Sequence, residues 1–220
     1  RKLAHEIKNP LTPIQLTIDR LKSKYSSQLS EKDKDKFKEN LKIINNQIKQ
    51  IEKLVNEFSD FARMPKPIFQ KNDLAELIME NIKLLQELDI SINIKFESNL
   101  PIINLESDKE QLSRVFLNLI KNSIESIQQK VQNDSNTNKK IDIELNDHDD
   151  HINLTIIDTG IGFENLKSNI KDILNPYFTT KKNGTGLGLS IVNKIINDHN
   201  GNIEFIPIND GAKIKIIFKK

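Results

Sequence analysis

No cysteine and no tryptophan occur in the 220 residues, and tyrosine and methionine appear only twice each. The missing thiols exclude thiolate catalysis, disulfide staples, Cys-based zinc sites and iron–sulfur clusters. Glycine and proline are scarce, at seven each, so the places where they gather carry information. No apolar run approaches the roughly 18 residues that a membrane span needs. Arg1 opens the chain without an initiator Met or a secretory apolar segment, so the expectation is a soluble cytoplasmic piece of a longer protein. Neither charge dominates: 33 Lys and Arg against 31 Asp and Glu leave a net +2, which is no footprint of a nucleic-acid partner. What is present is 36% hydrophobic and 29% charged, enough for a core and its surface. The length suits one generous domain or two small ones.

Ile7, Leu11, Ile14, Ile18, Leu21 and Tyr25 recur at alternating spacings of four and three, the seam of a coiled coil. A polar stretch at 26–35 interrupts it. The spacing resumes at Phe37, Leu41, Ile44, Ile48, Ile51, Val55, Phe58 and Ala62, so two antiparallel helices are expected over 1–64. One hairpin offers too little surface to hide so long a seam. Pairing with a second copy into a four-helix bundle is the economical solution, and packing on the rest of the chain is the competing one. Met64-Pro65-Lys66-Pro67 ends the second helix, because proline removes an amide donor and biases its predecessor toward extended geometry. A linker or hinge is placed at 65–72.

Beyond it, 73–220 reads as a mixed domain with helices at 74–86, 109–130 and 187–197. Strands are expected at 90–97, 141–145, 152–158, 202–207 and 212–218. Strands at hairpin spacing favour an α/β sandwich, a mostly antiparallel sheet with helices on one face. The fold class is therefore α+β, a helical hairpin followed by that sandwich. Leu112, Val115, Phe116, Leu119 and Ile120 mark the buried stripe of the long helix, and 132–140 is a polar loop.

Five segments carry chemically loaded residues. In His5-Glu6-Ile7-Lys8-Asn9-Pro10, His5 lies beside the apolar seam, and a neutral imidazole is a usable nucleophile near pH 7. Glu6 can accept the other ring proton, which would hold the tautomer that leaves Nε2 free. Asn9, one turn on, can orient a water toward a group on the ring. Pro10 and Pro13 should bend the helix just after the site. In Asn118-Leu119-Ile120-Lys121-Asn122-Ser123-Ile124-Glu125, two asparagines four apart share a helical face, despite being poor helix formers. Asn122 can offer a carbonyl oxygen to Mg²⁺, while Asn118 faces phosphates. Each segment alone also has a plain surface reading.

Asp158-Thr159-Gly160-Ile161-Gly162-Phe163 follows an apolar strand. A carboxylate there can accept from an exocyclic amine such as adenine N6, and Gly160 and Gly162 permit close approach of ligand and backbone. Pro176-Tyr177-Phe178-Thr179-Thr180-Lys181 precedes Gly184-Thr185-Gly186-Leu187-Gly188-Leu189-Ser190, a glycine-rich helix start whose amides suit phosphate oxygens. Lys181 can add a charge-assisted phosphate contact, and 164–183 reads as a mobile lid. Other nucleotide motifs fail: Leu189 stands where a P-loop needs lysine, and Leu189 or Ile191 stands where a dinucleotide fingerprint needs its third glycine. His148-Asp149-Asp150-His151 fits an exposed hairpin loop better than a metal cluster. His199-Asn200-Gly201 reads as a helix end, with Gly201 taking the left-handed conformation.

Together and in this order, the segments resemble the sensor histidine kinases of two-component signalling over nearly the whole chain. HEIKNP looks like the H-box, NLIKNSIE the N-box, DTGIGF the G1 box, PYFTTK the F-box and GTGLGLS the G2 box. The string LAHEIKNPLTPIQL is most similar to the nitrogen-regulation NtrY-type kinases. The resemblance implies a dimerising phosphotransfer hairpin and a Bergerat-fold ATP-binding domain. It implies His5 as phosphoacceptor, Glu6 as general base and Asn9 as the phosphatase-associated amide. It also implies Asn122 as the Mg²⁺ ligand, Asp158 as the adenine reader, and Gly160, Gly162, Gly184, Thr185, Gly186, Leu187 and Gly188 as pocket and lid. Asn118 stands where ATP-hydrolysing relatives place a catalytic Glu. Glu125 departs from members that carry a basic residue there, which shifts phosphate charge toward Mg²⁺, Lys121 or Lys181. The implied activity is transfer of the ATP γ-phosphoryl group to His5 and onward to an Asp of a response-regulator receiver domain, with phosphatase activity as well. The implied setting is a homodimer whose full-length protein sits in the bacterial inner membrane. An ATPase machine and a nucleotide-binding scaffold are the rival readings.

Overall fold

The computed structural model describes residues 2–26, 28–87, 89–134, 137–163, 170–181 and 184–220; of residues 2–6, 8, 31 and 171 it describes the backbone alone. It divides into two compact units, Arg1–Met64 with Thr179–Leu187, and Pro65–Phe178 with Gly188–Lys220.

The first unit is built on α1 (Lys2–Tyr25) and α2 (Glu31–Ala62). The seam divides in two. Leu11, Ile18, Leu41 and Ile48 form a buried cluster with Phe37 packed on it, and Val55 is buried further along. Ile7, Ile14, Leu21, Ile44 and Ile51, the alternate members of the same repeat, remain exposed. A heptad stripe is wider than one antiparallel neighbour can cover, so half of it closes the hairpin and half is left over. The second helix begins earlier than its apolar pattern indicates. Ser30 caps it by accepting from the Asp33 amide at 3.3 Å, which turns the second half of the expected polar interruption into helix. Pro10 and Pro13 lie inside α1, where they deprive the carbonyls of Glu6 and Asn9 of their usual amide donors. Within the same unit the Thr185 hydroxyl donates to the Glu57 carboxylate of α2.

The second unit starts with β1 (Gln70–Asp73), α3 (Leu74–Gln86), β2 (Asn93–Ser98) and β3 (Asn104–Ser107). There follow α4 (Lys109–Asn133), β4 (Lys140–Asp147), β5 (His151–Asp158), α5 (Gly188–Asp198), β6 (Gly201–Ile208) and β7 (Gly211–Lys219). The main sheet runs β2-β4-β5-β7-β6. Among the described residues only β2 and β4 pair in parallel, with α4 in the crossover between them, as a parallel connection requires. Period-2 alternation lines the inward face in rows: Ile143, Ile156 and Ile214; Leu145, Leu154 and Ile216; Ile152 and Phe218. All are buried, as are the facing residues Leu112, Val115, Phe116, Leu119 and Ile120 of α4 and Ile191, Val192, Ile195 and Ile196 of α5. Each fully buried side chain of this size contributes about 1.5–3 kcal/mol. The opposite face carries Lys95, Glu97, Asp142, Glu144, Glu204 and Lys215. The sandwich is thus the mostly antiparallel α/β layer that the spacing implies.

The two-stranded ribbon of β1 and β3 was not legible, because Gln70-Lys71-Asn72-Asp73 has none of the residues that favour strands. At the end of α5 it is Asn200, with φ 55°, that takes the left-handed conformation; Gly201 already belongs to β6. His199 is buried and ties three segments together. Its Nδ1 donates to the Ile195 carbonyl at 2.8 Å, which leaves Nε2 to accept the Asp108 amide at 3.0 Å. Phe69 meets its ring edge-on, centroids 5.1 Å apart. Asp108 caps α4 through the Gln111 amide and also accepts the Ile68 amide at 2.9 Å. Burial alone would raise the Asp108 carboxyl, but amide bonds from Ile68, Gln111 and Glu110 outweigh it and hold the group below its ordinary value. Replacing His199 by Ala strands the Asp108 amide and opens this junction. The expected loss is about 1–3 kcal/mol of unfolding free energy, read from urea titration by circular dichroism.

Candidate functional site

The alternation that buries Ile152, Leu154 and Ile156 continues to Asp158, so its carboxylate points into the apolar layer and is only 3% exposed. Across the sheet its neighbours are Ile141 and Ala212. The cost of burying a charge there is met by donors. Oδ1 accepts the Gly160 amide and Oδ2 the Ser123 hydroxyl of α4, both at 2.9 Å, and the Ala212 amide donates as well. Burial nevertheless prevails and pushes the carboxyl above its ordinary value, opposed by those donors and the Lys130 ammonium. Lys130 donates to the Thr159 carbonyl at 3.1 Å and pairs with Asp210 in the β6–β7 turn.

The loop after Asp158 fits only because of its glycines. A Cβ on Gly160 would lie 2.1 Å from the Ser126 hydroxyl oxygen, which accepts the Ile161 amide at 3.0 Å. Gly162 sits at φ +67°, and a Cβ there would meet the Gly211 carbonyl at 2.4 Å. Gly211 itself holds φ +121°, and a Cβ on it would stand 1.7 Å from the Asp158 carbonyl oxygen. Backbone crosses backbone here with no room for a side chain.

On the same helix, Asn118 and Asn122 are half-buried, one turn apart. The Asn118 amide donates to the Arg114 carbonyl at 2.8 Å. Its oxygen faces Gly188, where a Cβ would lie 3.2 Å away. The structure therefore gathers Asp158, Gly160, Gly162, Asn118, Asn122 and Gly188 around α4. Among the described residues no group of three or more His, Asp and Glu side chains could hold a metal ion. A cation here would take the amide oxygen of Asn122 and complete its shell from phosphate oxygens and water, a set that suits Mg²⁺.

The remaining candidates belong to the first unit. His5, Glu6 and Asn9 lie on α1; Asn9 is exposed, and the side chains of His5 and Glu6 fall outside the described residues. Lys181, Gly184, Thr185, Gly186 and Leu187 belong to the segment clustered with the hairpin. There the Thr179 hydroxyl accepts the Lys181 amide at 3.1 Å, and Gly186 has φ 69°. Of the expected lid, 164–169 and 182–183 lie outside the described residues. The part between is not loop throughout: Ile170–Leu174 forms a 3-10 turn with Ile173 buried, and Tyr177 holds φ 69°. His148 of the exposed β4–β5 turn stacks at 4.6 Å on His151, the first residue of β5.

Residues 107–220 match the family described as histidine kinase-, DNA gyrase B-, and HSP90-like ATPase, and residues 1–67 match the His Kinase A phospho-acceptor domain. The chain belongs to the sensor histidine kinases. It is 37% identical to the nitrogen regulation protein NtrY of Azorhizobium caulinodans over 222 residues, all of this chain and 28% of that protein. To an NtrY-like sensor histidine kinase of Rickettsia felis it is 37% identical over 219 residues, 99% of this chain and 35% of that one. The kinase chain thus spans about a third of the length of these curated relatives. Among solved structures it is similar to the catalytic domain of histidine kinase ThkA, with 29% identity, 70% of this chain and 96% of that chain covered, and a TM-score of 0.57. It is also similar to ThkA in complex with the response regulator TrrA, with 28% identity, 100% of this chain and 60% of that chain covered, and a TM-score of 0.67.

Ser123, Ser126, Lys130 and Gly211 of this kinase were not among the residues the sequence singled out. Two serines inside a helix, and glycine after Asn209-Asp210 between strands, were the available signals. Gly211→Ala is expected to cost more than about 1 kcal/mol of stability and to displace Asp158. Gly188→Ala, facing only the Asn118 side chain, is expected to cost less. Thermal unfolding of both variants checks the order.

Proposed function

We propose that this chain is the cytoplasmic core of a sensor kinase that phosphorylates its own His5 from Mg-ATP and passes the phosphoryl group to an Asp of a response regulator. Residues 1–64 form the dimerising phosphotransfer hairpin and 73–220 the ATP-binding domain, joined over the expected linker 65–72, whose end from Gln70 already pairs as β1. The observation that carries this reading is the buried, donor-rich Asp158 beside the asparagine face of α4, inside an ATPase-family domain that follows a phospho-acceptor hairpin.

Asp158 accepts the exocyclic amine of adenine, and Gly160 and Gly162 let the base approach the backbone. Asn118 lies on the phosphate side, and Gly184, Thr185, Gly186, Leu187 and Gly188 offer amides to phosphate oxygens, with Lys181 adding charge. Asn122 would hold Mg²⁺, which when bound would neutralise charge on the phosphates. His5 Nε2 attacks the γ-phosphorus with its lone pair; the bond to the β–γ bridging oxygen breaks and ADP departs with those electrons. The Nδ1 proton of the resulting imidazolium passes to Glu6, leaving a neutral imidazole ring that carries the anionic phosphoryl group. Positioning and charge stabilisation supply most of the acceleration in such transfers. The receiver carboxylate then takes the phosphoryl group from Nε2, and Asn9 orients a water for the opposing phosphatase reaction.

The exposed half of the hairpin stripe supports a second copy as partner, closing a four-helix bundle. The likeness to ThkA, solved with the response regulator TrrA, supports the receiver partner. Among the described residues no helix is long and apolar enough to cross a membrane. Attachment to the bacterial inner membrane rests with the remainder of the full-length protein.

The test is incubation with γ-labelled Mg-ATP. Protein-bound label that is acid-labile, alkali-stable and lost in His5→Gln is expected. Acid-labile label retained in that variant would refute His5, and no label despite ATP binding would favour a scaffold.

A further inference from the structure

A carboxylate offers about four acceptor directions. At Asp158 the Gly160 amide takes one on Oδ1 and the Ser123 hydroxyl takes one on Oδ2, while the Ala212 amide also favours the charged form. Acceptor capacity remains on the carboxylate for a ligand. We propose that Ser123 is a positioning residue for base recognition: by holding Oδ2 it turns the Asp158 carboxylate so that a remaining acceptor direction meets an exocyclic amine. The inference rests on the reading of Asp158 as the residue that contacts the base.

A serine inside a helix ordinarily returns its hydroxyl to a carbonyl one turn back. Ser123 instead donates across to β5, and both partners are buried. A hydroxyl has a single proton to give, so this bond consumes it. Ser126, one turn on, differs: it accepts the Ile161 amide and sits against Gly160, so it fixes loop backbone and leaves the carboxylate alone.

The role has a chemical signature. Amine recognition needs an ionised Asp158, since a protonated carboxyl surrenders acceptor capacity for a donor. Burial works against ionisation, and Ser123, the two amides and Lys130 work for it. Lys130 on α4 is the charged group acting on Asp158; it is paired with Asp210 of the β6–β7 turn, while β4 and β7 set Ile141 and Ala212 opposite. Removing the hydroxyl leaves burial less opposed, so the carboxyl should take up its proton at higher pH. Nucleotide affinity should then fail at higher pH as well.

The experiment follows the Asp158 carboxyl carbon by NMR across pH, identified by its loss in Asp158→Asn, together with calorimetric Mg-ADP binding over the same range. In Ser123→Ala the titration midpoint and the acid limb of binding are expected to rise together by about one pH unit, a tenfold loss of affinity below the limb. Ser123→Thr, which keeps the hydroxyl, should restore both. Should the alanine variant fail to fold, Ser123→Cys carries the test, because a thiol is a weak donor of similar size. An unmoved midpoint and limb would overturn the role of Ser123 while Asp158→Asn still loses ADP. If Asp158→Asn binds ADP as tightly as the parent protein, the reading of Asp158 itself is overturned.

Discussion

Asp158 places a carboxylate where rows of isoleucine and leucine would otherwise close the layer between sheet and α4. An unpaired charge in such a place costs several kcal/mol, and the surrounding chain is arranged around that cost. Ser123 and Lys130 come from one helix, Ala212 from the neighbouring strand, and Gly160 from the loop itself. The same crowding dictates the glycines, because Gly160 lies against Ser126, Gly162 against Gly211, and Gly211 against the Asp158 carbonyl at distances that no Cβ could occupy. The geometry of this loop therefore follows from satisfying one buried group.

The hairpin obeys a different constraint. Its heptad stripe presents two sets of apolar residues, and one antiparallel neighbour can bury only one set. Leu11, Ile18, Leu41 and Ile48 close the hairpin, while Ile7, Ile14, Ile44 and Ile51 stay exposed. The unit thus folds on one half of its pattern and leaves the other half exposed, the half that the proposed second copy would cover.

Much of this was legible in the sequence because it is local. The 3.5-residue spacing named both helices of the hairpin, strict alternation named β4, β5 and β7, and the apolar stripe of α4 is buried residue for residue. What escaped depends on partners distant in the chain. Gln70–Asp73 is a strand because Asn104–Ser107 pairs with it, not because of its own residues. The start of α2 was set by the Ser30 cap rather than by hydrophobic spacing. Asp158 was readable as a carboxylate at a strand end before two glycines, yet its dependence on Ser123, 35 residues earlier, needs the packed sheet and helix. Gly211 reads as an ordinary hairpin glycine until Asp158 is seen lying against it.

On the proposed function, the domain recognises a purine by its exocyclic amine at Asp158. The most direct measurement of that recognition compares Mg-ATP with the triphosphate of purine riboside, which differs only in lacking the 6-amino group, by calorimetry on the same protein. A hydrogen bond to a charged group is worth about 1.5–3 kcal/mol, so the account predicts roughly 10- to 150-fold weaker binding of the analogue. Equal affinity for the two nucleotides would contradict it.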